Sequence, residues 1–382
     1  MRRQNVSQYR DFILACGHEI VANVEESDTV LLWTCAFRED IRDNSLAQIK
    51  YYQNECGKRV IVAGCLPDID GKALAACFKG DVINWRQDVK KMAQIFGEPQ
   101  NDLTHYSSIY AQQKFCDNSE IFRKKNPDKD VTFPDQFIKL VVAQGCNHKC
   151  SYCSERLVFP PYRSFPLGQL VEVCRALVSE TNQTDVMLLA DSVGEYGKDI
   201  GSSLPDLIRA LCGIRSDIKI ALNNLNLIDF IAYFADMRDF IKLGYIKHLN
   251  LPIQSASSRI LKLMDREYSP ADMHKVFSLL RELEFKDFDT HIIVGFPTET
   301  DSDFKETVDF ILEYRPRYVL MNRYFEVSGI RCASLEGKVS AKDVTRRIDE
   351  AEKRFANAGV ICNSENSELM KQRLAHINRS KL

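Results

Sequence analysis

Nine short aliphatic or β-branched runs, spread along most of the chain and separated by amphipathic stretches, leave little choice of architecture. They are "TVLLW" (29–33), "RVIVA" (59–63), "DVINW" (81–85), "IKLVVA" (138–143), "VMLLA" (186–190), "IKIAL" (218–222), "IKHLNL" (246–251), "THIIV" (290–294) and "YVLM" (318–321). Runs this short and this apolar are covered on both faces, which is the pattern of buried parallel strands. Between them apolar residues recur at helical spacing: Leu167, Leu170, Val171, Cys174, Leu177 and Val178 share one face of such a helix. Strand and helix alternating in this way give an α/β fold.

The alternation breaks between about residues 97 and 135, where "GEPQNDLTHYSS" and "DNSEIFRKKNPDKDVTFPD" are rich in Gly, Pro and charge and read as a linker or surface crossover. Upstream, three runs make a small parallel-sheet α/β domain (1–125). Downstream, six runs make a partial TIM-type (β/α) barrel (135–345). Residues 346–382 read as a helical tail with a basic end, "ELMKQRLAHINRSKL", whose bland reading is a solvated terminal helix.

With 45% hydrophobic and 27% charged residues, the 382-residue chain is ordinary globular material. Its first residues, "MRRQNVSQYRD", lack the apolar centre of a secretory signal, and no stretch approaches eighteen consecutive apolar residues. The expectation is a soluble, cytoplasmic protein with no membrane partner. A formal charge of -2 supplies no basic field to draw in nucleic acid. Thirteen cysteines in a reducing compartment are metal ligands or reactive thiols before they are disulfides.

Three of them crowd into "GCNHKCSYC", where Cys146, Cys150 and Cys153 follow the run at 138–143 and so occupy the loop at a strand's C-terminal end, where parallel α/β folds build their sites. A structural zinc takes four protein ligands, and no fourth Cys or His stands at the usual distance downstream; zinc would need His148 or a remote ligand. A cubane iron-sulfur cluster held by three thiolates keeps one iron open, and that iron is where chemistry would occur. Further strand-end groups gather at the same face. Glu195 follows 186–190, Gln254 and Ser255 follow 246–251, and the fork of Arg266 could clasp a carboxylate, against its commoner role as an exposed helix-end residue. In "VGFPTET", Gly295 permits close backbone approach and Pro297 stiffens the turn.

These motifs, with "LLADSVGEYGKDIGSSLPDLIRAL", "HLNLPIQSASSRILKLMDREYSP", "HIIVGFPTETDSDFKETVDF" and "RYFEVSGIRCASLEGKVSAKDVTRR", resemble the radical S-adenosylmethionine (SAM) methylthiotransferases, as do "DTVLLWTCAF" and "VIVAGCLP" near the front. The resemblance implies that Cys146, Cys150 and Cys153 hold a [4Fe-4S] cluster whose open iron binds the amino and carboxylate groups of SAM. Reduction, from a donor such as flavodoxin or ferredoxin, then frees a 5'-deoxyadenosyl radical. It implies that Tyr152 contacts the adenine, with loop packing as its alternative, and that Glu195 meets the methionine ammonium or the ribose. Gln254, Ser255, Arg266 and the Gly295 backbone complete the expected cofactor site.

At the front, Cys35 follows 29–33 and Cys65 follows 59–63, so both leave the same C-terminal sheet edge. The resemblance implies a second iron-sulfur cluster there, the source or carrier of the inserted sulfur. Its third cysteine should precede the Asn matched by Asn5, and Arg2 stands in that place. Cys16 lies roughly 15 Å along the helix that begins near Asn5, and Cys56 precedes its strand. The alternatives are a cluster on two cysteines, a lost cluster, or a start upstream of Met1. The small β-barrel (TRAM) module that usually follows in this family is expected to be missing. The resemblance implies sulfur or methylthio insertion at a C–H bond of tRNA or another macromolecule, whereas the missing module favours a smaller substrate. Insertion into a peptide or small metabolite is one alternative and a non-catalytic binding homologue another; the intact cysteine motif argues against the latter.

Overall fold

The computed structural model describes residues 2–84, 88–98, 137–158 and 161–363. Most of the expected linker and the basic segment 368–382 lie outside them. The chain divides into two compact units. They are not two consecutive spans, as the sequence suggests. Among the described residues, the first unit takes 2–84 and 88–98 together with 152–158, 161–162 and 325–334, and the second takes the rest. The reason is local packing: a 3₁₀ turn at Ser154–Leu157 lies on the short helix Leu66–Ile69. Likewise the Arg42 guanidinium stacks 5.3 Å from the centre of the Phe325 ring.

In the first unit β1 (Thr29–Thr34), β2 (Arg59–Gly64) and β3 (Asp81–Val82) form a parallel sheet in chain order. "DVINW" yields only two strand residues, although the Ile83 amide still donates to the Val62 carbonyl at 2.8 Å. Helix α1 (Arg2–Ala15) lays Tyr9, Phe12 and Ile13 on Ile61, Ala63, Ile83 and Met92, and Tyr9 meets Trp33 edge-on at 5.0 Å. Helices α2 (Glu39–Lys50), α3 (Leu66–Ile69), α4 (Gly71–Cys77) and α5 (Asp88–Phe96) complete the unit.

The second unit is a seven-stranded parallel sheet: β4 (Ile138–Val141), β7 (Asp185–Leu189), β8 (Lys219–Leu222), β9 (Ile246–Asn250), β10 (Phe288–Val294), β11 (Tyr318–Arg323) and β12 (Ile361–Asn363). Its strands adjoin in chain order with helices between them, the arrangement of a partial TIM-type barrel. The small antiparallel pair β5 (Ala143–Gln144) and β6 (Arg163–Ser164), and β12, have too few residues to show a pattern in sequence. With β12 the sheet runs past residue 345, so α13 (Ala341–Asn357) belongs to the barrel rather than to a tail. The other helices are α6 (Leu167–Thr181), α7 (Leu204–Cys212), α8 (Leu227–Ala232), α9 (Phe234–Lys242), α10 (Ser258–Leu263), α11 (Pro270–Glu282) and α12 (Asp301–Tyr314). The face that α6 buries is Leu170, Val173, Cys174, Leu177 and Val178; Val173 takes the place foreseen for Val171, which stays half-buried. Among the described residues no helix is long and apolar enough to cross a membrane.

Candidate functional site

The stretch from Gly145 to Cys150 has no regular secondary structure and is fixed by bonds that fall between its cysteines. The Gly145 amide, at φ +82°, donates to Asp191 Oδ2 at 2.9 Å. The Asn147 amide donates to Glu195 Oε2 at 3.0 Å. His148 Nε2 lies 3.0 Å from Asp229 Oδ2 and 3.8 Å from Glu195 Oε2. The other Asp229 oxygen accepts from Lys198 Nζ at 2.8 Å. Ser151 ties off the far side, its amide donating to the Met264 carbonyl (3.0 Å) and its hydroxyl to the Leu263 carbonyl (2.7 Å). Burial would raise the Asp229 carboxyl, but the hydrogen bonds and charges of His148 and Lys198 outweigh it and hold the group below the usual carboxylate range. Gly194 makes room for this carboxylate: a Cβ there would come 2.2 Å from the Asp229 Cβ.

All three cysteines of the motif are half-buried. Among the described residues no three Cys, His, Asp or Glu side chains are gathered into a ready metal site. The Arg266 guanidinium donates to Cys150 Sγ at 3.3 Å. It also binds the Pro252 carbonyl at 2.8 Å and the Tyr268 hydroxyl at 2.9 Å. Arg266 was expected at the SAM carboxylate; here it is committed to a cysteine sulfur and to the loop, and hydrogen bonds to ligating sulfurs are what tune a cluster.

Among the described residues, two buried polar atoms at the C-terminal face have no partner: Ser192 Oγ, after β7, and Gln254 Oε1, after β9. Such atoms cost about 1–3 kcal/mol each unless something binds them. Gln254 also holds a left-handed backbone at φ +66°, fixed by its amide to the His291 carbonyl (2.8 Å) and by the Ile293 amide to its own carbonyl (2.9 Å). Its neighbour Ser255 is fully buried, its hydroxyl facing Thr307 Oγ1 at 3.2 Å and accepting from the Ser257 amide. Ser255 thus anchors the loop on α12. Gly295, at φ +83°, is required by helix packing instead: a Cβ would strike Val344 of α13 at 2.4 Å. Glu195 is 4% exposed and braces the cysteine loop. Tyr152 is half-buried and belongs to the first unit.

In the first unit the β1–β2 register ends at Thr34↔Gly64, so Cys35 and Cys65 follow directly on neighbouring strands. The Cys65 amide donates to the Thr34 carbonyl at 2.9 Å, and the Ser45 hydroxyl sits on both backbone groups of Cys35. Gly64, at φ +98°, allows this approach, since a Cβ would lie 2.2 Å from the Thr34 carbonyl oxygen. Cys65 is fully buried and Cys35 half-buried. Cys65 begins α3 and Cys153 begins the 3₁₀ turn packed on it. Cys16 is far from this edge, its thiol on the Gly97 carbonyl after α5, and Cys56 stands before β2.

Residues 140–311 match the Radical SAM superfamily, and residues 1–83 match the family described as "Uncharacterized protein family UPF0004". A probable threonylcarbamoyladenosine tRNA methylthiotransferase of Methanocaldococcus jannaschii is 27% identical over 88% of this chain and 76% of its own. The human threonylcarbamoyladenosine tRNA methylthiotransferase is 27% identical over 87% of this chain, which spans 58% of that protein. The ribosomal protein uS12 methylthiotransferase RimO of Thermodesulfovibrio yellowstonii is 28% identical over 93% and 79%. The two matched domains and these relatives together support the radical SAM methylthiotransferase family for this chain. As a member of that family it is an enzyme that uses a [4Fe-4S] cluster and SAM, and it depends on a reductant. The chain also shares its fold with the radical SAM methyltransferase TsrM of Kitasatospora setae (TM-score 0.56, 12% identity, 81% of this chain and 67% of that one).

The sequence points to the cysteines of this methylthiotransferase, but not to Asp229 or Lys198. Asp229 stands 81 positions from His148, and its short helix segment "LIDFIA" carries no local signal. Asp191 and Ser192 lie within "LLADSVGEYGKD" and could have been weighed beside Glu195.

Proposed function

We propose that this chain inserts a methylthio group into an adenosine of tRNA. The carrying observation is a pair of cysteines, Cys35 and Cys65, that follow directly on neighbouring strands at one parallel-sheet edge, in a chain that also bears a braced Cys-x-x-x-Cys-x-x-Cys loop. A radical enzyme that only abstracts hydrogen needs the second feature alone, whereas sulfur insertion also needs a place to hold sulfur. The choice of tRNA adenosine follows the names of several relatives. RimO supports a second reading, a ribosomal protein.

The thiols of Cys146, Cys150 and Cys153 suit a [4Fe-4S] cluster: they are half-buried, lie within one short stretch, and Cys150 already accepts a guanidinium hydrogen bond. Ser192 and Gln254 offer the unpartnered hydroxyl and amide oxygen that the polar groups of SAM would satisfy. Together the cluster and SAM supply the hydrogen-abstracting radical when bound. Glu195 and Asp229 hold the loop, Arg266 sets the charge beside Cys150, and Tyr152 stacks on the adenine. Cys35 and Cys65 hold a second iron-sulfur cluster with ligands beyond the protein's two thiols. Flavodoxin or ferredoxin supplies the electron, and the setting is the cytoplasm.

The test is anaerobic turnover of the reconstituted enzyme, with SAM and a reductant, on an anticodon stem-loop carrying threonylcarbamoyladenosine and, separately, on a peptide of ribosomal protein uS12. Methylthiolated RNA is expected. A methylthiolated peptide beside unchanged RNA would transfer the assignment to the protein substrate, and 5'-deoxyadenosine with neither product would overturn it.

A further inference from the structure

Strand β10 lies between β9 and β11, yet its residues alternate between fully covered and partly open. Phe288, Thr290, Ile292 and Val294 are buried against the helices, while Asp289, His291 and Ile293 keep some accessible surface on the opposite face. In a central strand that face is the barrel interior, so His291 faces inward and is half-buried there.

The hydrogen bonds around His291 fix where its proton sits. The Asn224 backbone amide, which can only donate, reaches Asn250 Oδ1 at 3.3 Å. That orients the Asn250 side chain so that its Nδ2 faces His291 Nε2, 3.1 Å away. An amide nitrogen is a donor, so Nε2 accepts and the ring proton resides on Nδ1. Burial also drives the imidazole down to about 4, against the weaker opposing pull of Asp289, so the ring is neutral at working pH. Among the described residues no side chain or backbone group hydrogen-bonds to the Nδ1 edge of the ring.

We infer that His291 donates its Nδ1 hydrogen to an uncharged acceptor of the substrate base, an sp² ring nitrogen of the purine, inside the barrel. The inference rests on the proposed tRNA activity. The acceptor is uncharged because the donor carries no charge and Asp289, two residues along the same face, is ionised: burial would raise it, but His248 and Arg317 hold it below the usual range. An anionic group placed at His291 would lie roughly 7 Å from that carboxylate. His291 therefore helps choose the substrate and is not a base.

The test compares wild type, His291→Phe and His291→Asn on the stem-loop and on its 1-deaza, 3-deaza and 7-deaza adenosine versions. His291→Phe keeps a ring without the donor, whereas His291→Asn puts an amide N–H near the Nδ1 position. The substrate KM is expected to rise about tenfold in His291→Phe and to return within about threefold of wild type in His291→Asn. One deaza analogue should lose a similar factor with wild type and none with His291→Phe. Equal KM in wild type and His291→Phe, or a deaza penalty identical in both, would overturn the inference while leaving the tRNA activity standing. If His291→Phe does not fold, as read from its melting curve, the wild-type deaza series against His291→Asn decides. Wild type that modifies none of the RNAs removes both readings together.

Discussion

Both units of this enzyme present cysteines at the C-terminal ends of parallel strands, but they hold them by different means. In the barrel the motif lies on an irregular loop whose shape comes from side chains distant in sequence: Asp191, Glu195 and Asp229 each take a bond from it, and Arg266 reaches Cys150. In the first unit the bracing is lighter, a single uncharged hydroxyl, Ser45, on the Cys35 backbone. The backbone register that ends at Thr34↔Gly64 sets Cys35 beside Cys65. A loop needs buried charge to be rigid; a strand end is rigid already. The two sites should therefore fail differently when mutated.

Replacing Cys146, Cys150 and Cys153 together by Ala gives the largest effect, loss of all 5'-deoxyadenosine, measured by chromatography of the anaerobic reaction. Next comes Asp229→Ala. It leaves Lys198 and His148 without their buried partner and should destabilise the barrel by about 3 kcal/mol, with iron content falling in parallel. Gly194→Ala should mimic it, because the added Cβ would overlap the Asp229 side chain. Denaturant melts and iron assays on both variants check this. In the first unit Gly64→Ala forces a Cβ into the Thr34 carbonyl, at a cost of about 1–3 kcal/mol, and should reduce methylthiolation far more than SAM cleavage. Equal loss of both activities would break the contrast between the units.

A smaller effect comes with pH. His291 is held near 4 in the folded chain against 6.5 for the free side chain. A group whose folded value is depressed stays neutral in the fold while the unfolded chain takes up a proton. Its contribution to stability is thus complete above about 6.5 and is lost as pH falls toward 4. The groups facing it are Asn250 and, through charge, Asp289. The fall in melting temperature between pH 7 and pH 5 should be shallower in His291→Asn than in wild type.

Most of the barrel can be read from sequence because its strands are apolar on both faces and its helices keep a regular stripe. All nine runs emerge as strands. What escapes is short or remote. β12 is three residues after a turn at Gly359, and β5 and β6 are two each, too few to show any period. The pairing of Tyr152–Tyr162 and Phe325–Ser334 with the first unit depends on contacts that no local pattern announces. The cysteines declare themselves by spacing, whereas polar residues at strand ends do not declare their partners. Ser255 and Gly295 both stand where a cofactor residue would, yet Thr307 claims one and Val344 explains the other. Gln254 differs from them by a single buried oxygen without a partner.

The claim that radical generation and sulfur transfer are seated on different cysteines is tested most directly by product partition in the Cys35→Ala variant. Iron, sulfide and Mössbauer spectra identify what each protein holds, while 5'-deoxyadenosine and methylthiolated RNA are counted in the same reaction. The account predicts iron reduced by the share of the second cluster, 5'-deoxyadenosine close to wild type, and no methylthiolated product. Iron content and methylthiolation equal to wild type would contradict it, leaving Cys35 and Cys65 as ordinary thiols of a sheet edge.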